Sequence, residues 1–153
     1  MIQDRQPLSP KEAPVNNVKT LTLREQEAAL PQIKVTIDEK SRLSLLADSS
    51  LGLFPHVAHF LASEMERADV VAENADLRCV VRMGSRVRYR DETTGDVREV
   101  VLVYPHEADI DLSRISVLTP VGAALIGLSV GQSIAFETPA RQSRSLTVLG
   151  VSK

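Results

Sequence analysis

The sequence predicts an α+β protein in which a short N-terminal antiparallel helical hairpin precedes a mostly antiparallel sheet with one short helix against it. Three observations predict this. Apolar residues recur at helical spacing from about Asp38 to Val70, the period becomes strand-like beyond Leu77, and one Pro-, Gly- and Ala-rich stretch interrupts the strands near residue 120. A chain of 153 residues has room for one compact domain and a smaller appendage.

Residues 1–32 hold Pro7, Pro10, Pro14 and Pro31 with little periodicity, so they are expected to be a flexible tail, with at most a short helix over Thr20–Leu30. Ile33, Val35 and Ile37 alternate as in a short extended segment, and Thr36 and Glu39 have the spacing of a capping box, with Asp38 as a competing cap. Leu43, Leu46 and Ala47 supply the stripe of a first helix, broken from Asp48 to Gly52. Pro55 then opens a second helix whose stripe runs Phe54, Val57, Ala58, Leu61, Met65, Ala68. Neither stripe can be buried alone, so the two helices should pair, and residues 33–76 form the appendage.

Over residues 77–153 strands are expected at Arg86–Arg90, Val97–Tyr104, Ile115–Leu118, Ser133–Thr138 and Leu146–Val151, with a turn over Asp91–Asp96. Thr119 and Pro120 open a short helix that Gly127 ends. The core should hold Val87, Tyr89, Val101, Val103, Ile115, Leu125, Ile134, Phe136, Leu146 and Val148.

Composition excludes several functions. Aromatics are 3% of residues with no Trp, which disfavours base stacking, and 18 basic against 20 acidic residues give no electrostatic case for gripping phosphates over a broad surface. No direct sequence-specific nucleic-acid binding is therefore expected. The single Cys79 excludes an internal disulfide, and the absence of a long apolar run or signal peptide predicts a cytoplasmic protein without membrane attachment.

Catalytic residues are not indicated. His56 and His59 lie three apart on one helix but lack a third ligand, Ser85 lacks a nucleophile-elbow frame, and His106, Glu107, Asp109 and Asp111 read as a solvated acidic loop. Gly122, Gly127 and Gly131 are too widely spaced to cradle a phosphate. No metal or cofactor is expected.

The stretch Thr119-Pro-Val-Gly-Ala-Ala-Leu-Ile-Gly-Leu-Ser-Val-Gly-Gln132 resembles the C-terminal signature of the Gre transcript-cleavage factors, with Thr119 in place of the usual Ser and Gln132 in place of the usual Asp. Gly84-Ser85-Arg86-Val87, Leu102-Val103-Tyr104-Pro105 and Pro139 extend the resemblance, which covers about Ile33–Val151. Tyr104-Pro105, Pro120–Leu125 and the short hairpin most resemble a bacterial branch of that superfamily that binds polymerase without stimulating cleavage and influences nucleoside diphosphate kinase levels. The resemblance implies an FKBP-like domain without isomerase activity that docks as a monomer on RNA polymerase, and a coiled-coil finger directed at the secondary channel. Pro105, His106, Glu107, Asp109, Thr119, Pro120 and Val121 border the signature and are the expected polymerase contact; Asp48, Ser49, Leu51 and Phe54 are the expected finger tip.

Cleavage-stimulating Gre factors hold magnesium with acidic residues at the tip of a long coiled coil. Here the expected arms, Asp38–Ala47 and Pro55–Val70, would reach roughly 15 and 24 Å at 1.5 Å per residue. The tip carries one carboxylate, Asp48. The expectation is a non-enzymatic regulator; the alternative is a cleavage-stimulating elongation factor in which Glu39 or Glu64 assists Asp48.

Overall fold

Thr36 closes the capping box that its spacing with Glu39 predicts. Its Oγ1 accepts the Glu39 N–H at 3.2 Å, and Glu39 Oε1 accepts the Thr36 N–H at 3.1 Å, so helix α1 starts at Ile37 and runs to Ser50. The computed structural model describes residues 30–153, of which Pro31–Lys153 form one unit. The tail and short helix expected within residues 1–29 lie outside the described residues. α1 is longer than expected because Ser49 turns its hydroxyl onto the Leu46 carbonyl at 3.1 Å and the helix continues through the serines. A four-residue connection, Leu51–Phe54, leads to α2, Pro55–Arg67, with Pro55 in the first turn.

The expected second arm overran its helix. Ala68 is already extended, and Asp69–Val71 form strand β2. β2 pairs in parallel with β1, Lys34–Thr36, and the Asp69 N–H meets the Ile33 carbonyl at 2.9 Å. β-branched Val70 and Val71 favour that outcome over another helical turn. α1 and α2 pack on one another and bury Leu43, Ala47, Val57, Ala58, Leu61 and Met65.

The remaining strands are β3 (Arg86–Asp91), β4 (Val97–Val103), β5 (Arg114–Ser116), β6 (Ser133–Glu137) and β7 (Ser143–Ser152), in the order β5-β4-β3-β7-β6. The β4–β5 pair is parallel and the other pairs are antiparallel. Helix α3, Pro120–Leu125, is capped by Thr119 and packs on β6 and on α2. Gly127, at φ +82°, ends the turn that follows, and its carbonyl accepts the Lys34 N–H at 3.0 Å. A Cβ there would stand 2.9 Å from Ile33 Cβ, so only glycine allows the N-terminal strand this close.

Eight of the ten expected core residues are buried; Val101 and Ile115 are not. Val101 lies opposite Arg86, on the outer face of the sheet, and its neighbours Val100 and Leu102 take the core instead. Ile115 sits on the edge strand β5 and stays half-buried. No helix among the described residues is long and apolar enough to cross a membrane.

Candidate functional site

Two of the expected contact segments meet at one end of the sheet. β4 and β5 run parallel with Val103 in register with Ser116, and the Val117 N–H continues the ladder onto the Val103 carbonyl at 2.9 Å. Tyr104-Pro105 and Leu118-Thr119-Pro120 therefore leave the sheet side by side. Pro105–Glu107 form a single 3-10 turn, which Glu107 fixes by accepting the Tyr104 N–H at 3.3 Å. Asp109 accepts the Asp111 N–H at 3.0 Å and exchanges two backbone hydrogen bonds with Arg114. Pro105, His106, Glu107 and Asp109 are exposed, whereas Thr119, Pro120 and Val121 are half-buried.

The two departures from the Gre pattern keep structural roles. Thr119 Oγ1 accepts the Gly122 N–H at 3.0 Å and donates to the Ser116 carbonyl at 2.7 Å, so it caps α3 as a serine could. Gln132 Oε1 accepts the Ser129 N–H at 2.8 Å, and its amide also donates to the Gln32 carbonyl at 3.2 Å.

The four expected tip residues lie apart from this loop cluster, Asp48 and Ser49 in the last turn of α1 and Leu51 and Phe54 in the connection to α2, and all four are exposed. Phe54 is 51% exposed and Leu53, which sequence reasoning passed over, 79%. The second helix is tied down just beyond that connection, because His56 Nε2 stands 2.7 Å from the Glu137 carbonyl at the end of β6. Glu39 and Glu64 do not join Asp48. Glu39 Oε2 bonds Arg82 at 3.0 Å and Glu64 takes both ends of the Arg67 guanidinium at 2.7 and 2.8 Å; both carboxylates are buried.

Sequence reasoning missed a cavity of about 680 Å³ between the start of α1, the segment that precedes β3 and the end of β7, lined among others by Glu39, Arg78, Arg82, Ser85 and Lys153. Ser85 is a buried turn residue whose hydroxyl accepts the Arg82 N–H at 2.9 Å. Arg78 hydrogen bonds to Asp76 on the rim, which lowers that carboxyl to about 2. Arg82 and Glu39 are 43 residues apart, so no local pattern announces their meeting.

The described residues thus form a curled sheet with a capped signature helix, a loop pair at the end of its parallel strands and a pair of helices fastened along it. A family model described as the C-terminal part of the transcription elongation factors GreA/GreB matches residues 77–153. The chain is 35% identical over 119 residues to the regulator of nucleoside diphosphate kinase of Escherichia coli K12, covering 78% of this chain and 88% of that one. It is 37% identical over 81 residues to the elongation factor GreA of Thermodesulfovibrio yellowstonii, covering 53% of this chain and 51% of that one. Among solved structures it resembles a GreA/GreB elongation factor from Nitrosomonas europaea, with a TM-score of 0.62 and 32% identity over 80% of this chain and 99% of that one. The chain belongs to the GreA/GreB family of transcription factors.

Proposed function

We propose that this protein is a non-enzymatic transcription regulator that binds RNA polymerase near the secondary channel through an FKBP-like sheet domain. In this reading it does not stimulate transcript cleavage, and it influences nucleoside diphosphate kinase levels, as the name of its Escherichia coli relative suggests. The observation that carries the reading is the placement of carboxylates on the helix pair. Between residues 40 and 63 only Asp48 is acidic, and a hard cation such as magnesium favours several oxygen ligands. Glu39 and Glu64, the acids that could have joined it, are engaged by Arg82 and Arg67.

Reach argues the same way. With 14 and 13 residues, α1 and α2 are about 21 and 20 Å long at 1.5 Å per residue. The start of α2 is also held to the end of β6, which shortens any free projection. The polymerase contact is assigned to the loop pair: Pro105, His106, Glu107 and Asp109 beside Thr119, Pro120 and Val121.

Backtracked elongation complexes separate this reading from the cleavage-factor alternative. The protein alone should leave their transcripts intact, and in excess it should slow the cleavage that a competent Gre factor stimulates. Cleavage by this protein alone that Asp48→Ala abolishes would overturn the proposal. Charge reversal at Glu107 and Asp109 together should weaken polymerase binding with an unchanged circular-dichroism spectrum; unaltered affinity would move the contact elsewhere.

A further inference from the structure

The outer face of the sheet carries a row of cations that lies outside the proposed polymerase contact. β3 is the central strand, and its alternation buries Val87 and Tyr89 and turns Arg86, Arg88 and Arg90 outward. Successive members of the row are about 6.8 Å apart, two residues at about 3.4 Å each. Arg114 of β5 joins them, since it is in register with Val101, which itself faces Arg86.

Compensation on this face is incomplete. Glu92 pairs with Arg90 at 3.0 Å and Glu99 approaches Arg86 only to 3.9 Å. Among the described residues, Arg88 has no carboxylate within ion-pair distance. Like charges so close along one strand repel by about 0.6 kcal/mol per neighbouring pair even in a dielectric of about 80, so a face selected for stability alone would alternate signs. Across β4 Arg88 is in register with Glu99, whose carboxylate stands 3.9 Å from Arg86, and across β7 its partner is Gly150, where an added Cβ would meet nothing within 4 Å.

We propose that this face binds the phosphodiester backbone of single-stranded nucleic acid without regard to sequence, with Arg86, Arg88 and Arg90 on successive phosphates. Each guanidinium offers a fixed positive charge to a phosphate, and the strand repeat supplies a regular step like that of an extended polynucleotide. Tyr89 points into the core, which leaves no aromatic platform on the row to read or stack bases. The net charge of −2 does not show this face, where Arg86, Arg88, Arg90 and Arg114 stand against Glu92 and Glu99.

The test is fluorescence anisotropy of the full chain with a labelled oligouridylate of about a dozen nucleotides at about 50 mM salt. Binding should be indifferent to a change of base sequence, and log K should fall with log salt at a slope of about −2, from three phosphates at about 0.7 each. The double variant Arg86→Ala, Arg88→Ala should bind about ten-fold or more weakly, while Arg88→Lys, which keeps the charge, and Arg42→Ala, a cation on α1, should bind within about two-fold of the parent. Circular dichroism checks that each variant is folded, and Arg88→Glu alone serves as the reporter should the double variant not fold. No binding by the parent, or equal binding by the neutralised variant, would overturn the proposal. So would equal competition by an oligoglutamate of matching charge, which would assign the face to an acidic protein segment.

Discussion

Gly122→Ala tests whether the signature helix is held by close approach or merely by propensity. In the middle of a helix alanine is the better former by about 1 kcal/mol, so propensity alone predicts a more stable protein. The structure predicts the opposite. A Cβ at residue 122 would lie 2.2 Å from the Ser116 carbonyl oxygen, 2.9 Å from Thr119 Oγ1 and 3.0 Å from the Ser116 carbonyl carbon. The first of these is more than about 1 Å inside ordinary non-bonded contact. Ser116 cannot retreat cheaply, because it pairs with Val103 and its carbonyl accepts both the Thr119 N–H and hydroxyl. The methyl must instead push α3 outward and break the Thr119 cap. Overpacking at about 1–3 kcal/mol and a lost cap at about 1 kcal/mol give a destabilisation of about 2–4 kcal/mol. A urea titration with unchanged slope reads it directly. Gly52→Ala is the control, since open space surrounds that position and its backbone is not left-handed; it should be neutral or stabilise by up to about 1 kcal/mol. A Gly122→Ala protein within about 0.5 kcal/mol of the parent would refute the close-approach argument.

Other substitutions probe the remaining joints. Leu125→Ala should cost about 2–5 kcal/mol in the same titration, because this last side chain of α3 is fully buried. Arg82→Met removes the partner of Glu39; Arg82 is 34% exposed, so the loss should be about 1–2 kcal/mol rather than the larger figure for a fully buried pair. Gly127→Ala adds a left-handed backbone to a 2.9 Å clash with Ile33 and should lower the denaturation midpoint by the equivalent of about 1–3 kcal/mol.

What could be read in advance was what nearby residues decide together. The Thr36–Glu39 capping box, the α3 start at Thr119-Pro120 and the turn between β3 and β4 all close within a few residues, and each stands where the sequence places it. Strand β2 was missed because Asp69–Val71 becomes a strand only by pairing with Lys34–Thr36, some 35 residues earlier. Val101 was misassigned because β4 is apolar on both sides, and only its register with Arg86 shows which side faces out. The Arg86, Arg88, Arg90 alternation was visible in the sequence, yet whole-chain charge averaged it away. The Glu39–Arg82 pair had no local signal at all.

That last pair bears on how the packed pair of helices α1 and α2, the proposed hairpin, can act. Among the contacts that fasten it to the rest of the unit are Glu39 to Arg82, the Lys34 N–H to the Gly127 carbonyl, and His56 to the Glu137 carbonyl. They lie at the start of α1, at the strand that leads into it, and at the start of α2, so the hairpin is held near both its base and its connection. At about 1 kcal/mol net for each hydrogen bond, releasing all three costs about 3 kcal/mol before any loss of α2–α3 packing. A released hairpin would then be populated below about one per cent. A partner that engages the hairpin in a different orientation must bind the released form more tightly by at least that difference. One that accepts it against the sheet meets no such cost, and Arg82→Met should then leave its affinity unchanged, whereas a partner of the released form should bind that variant more tightly.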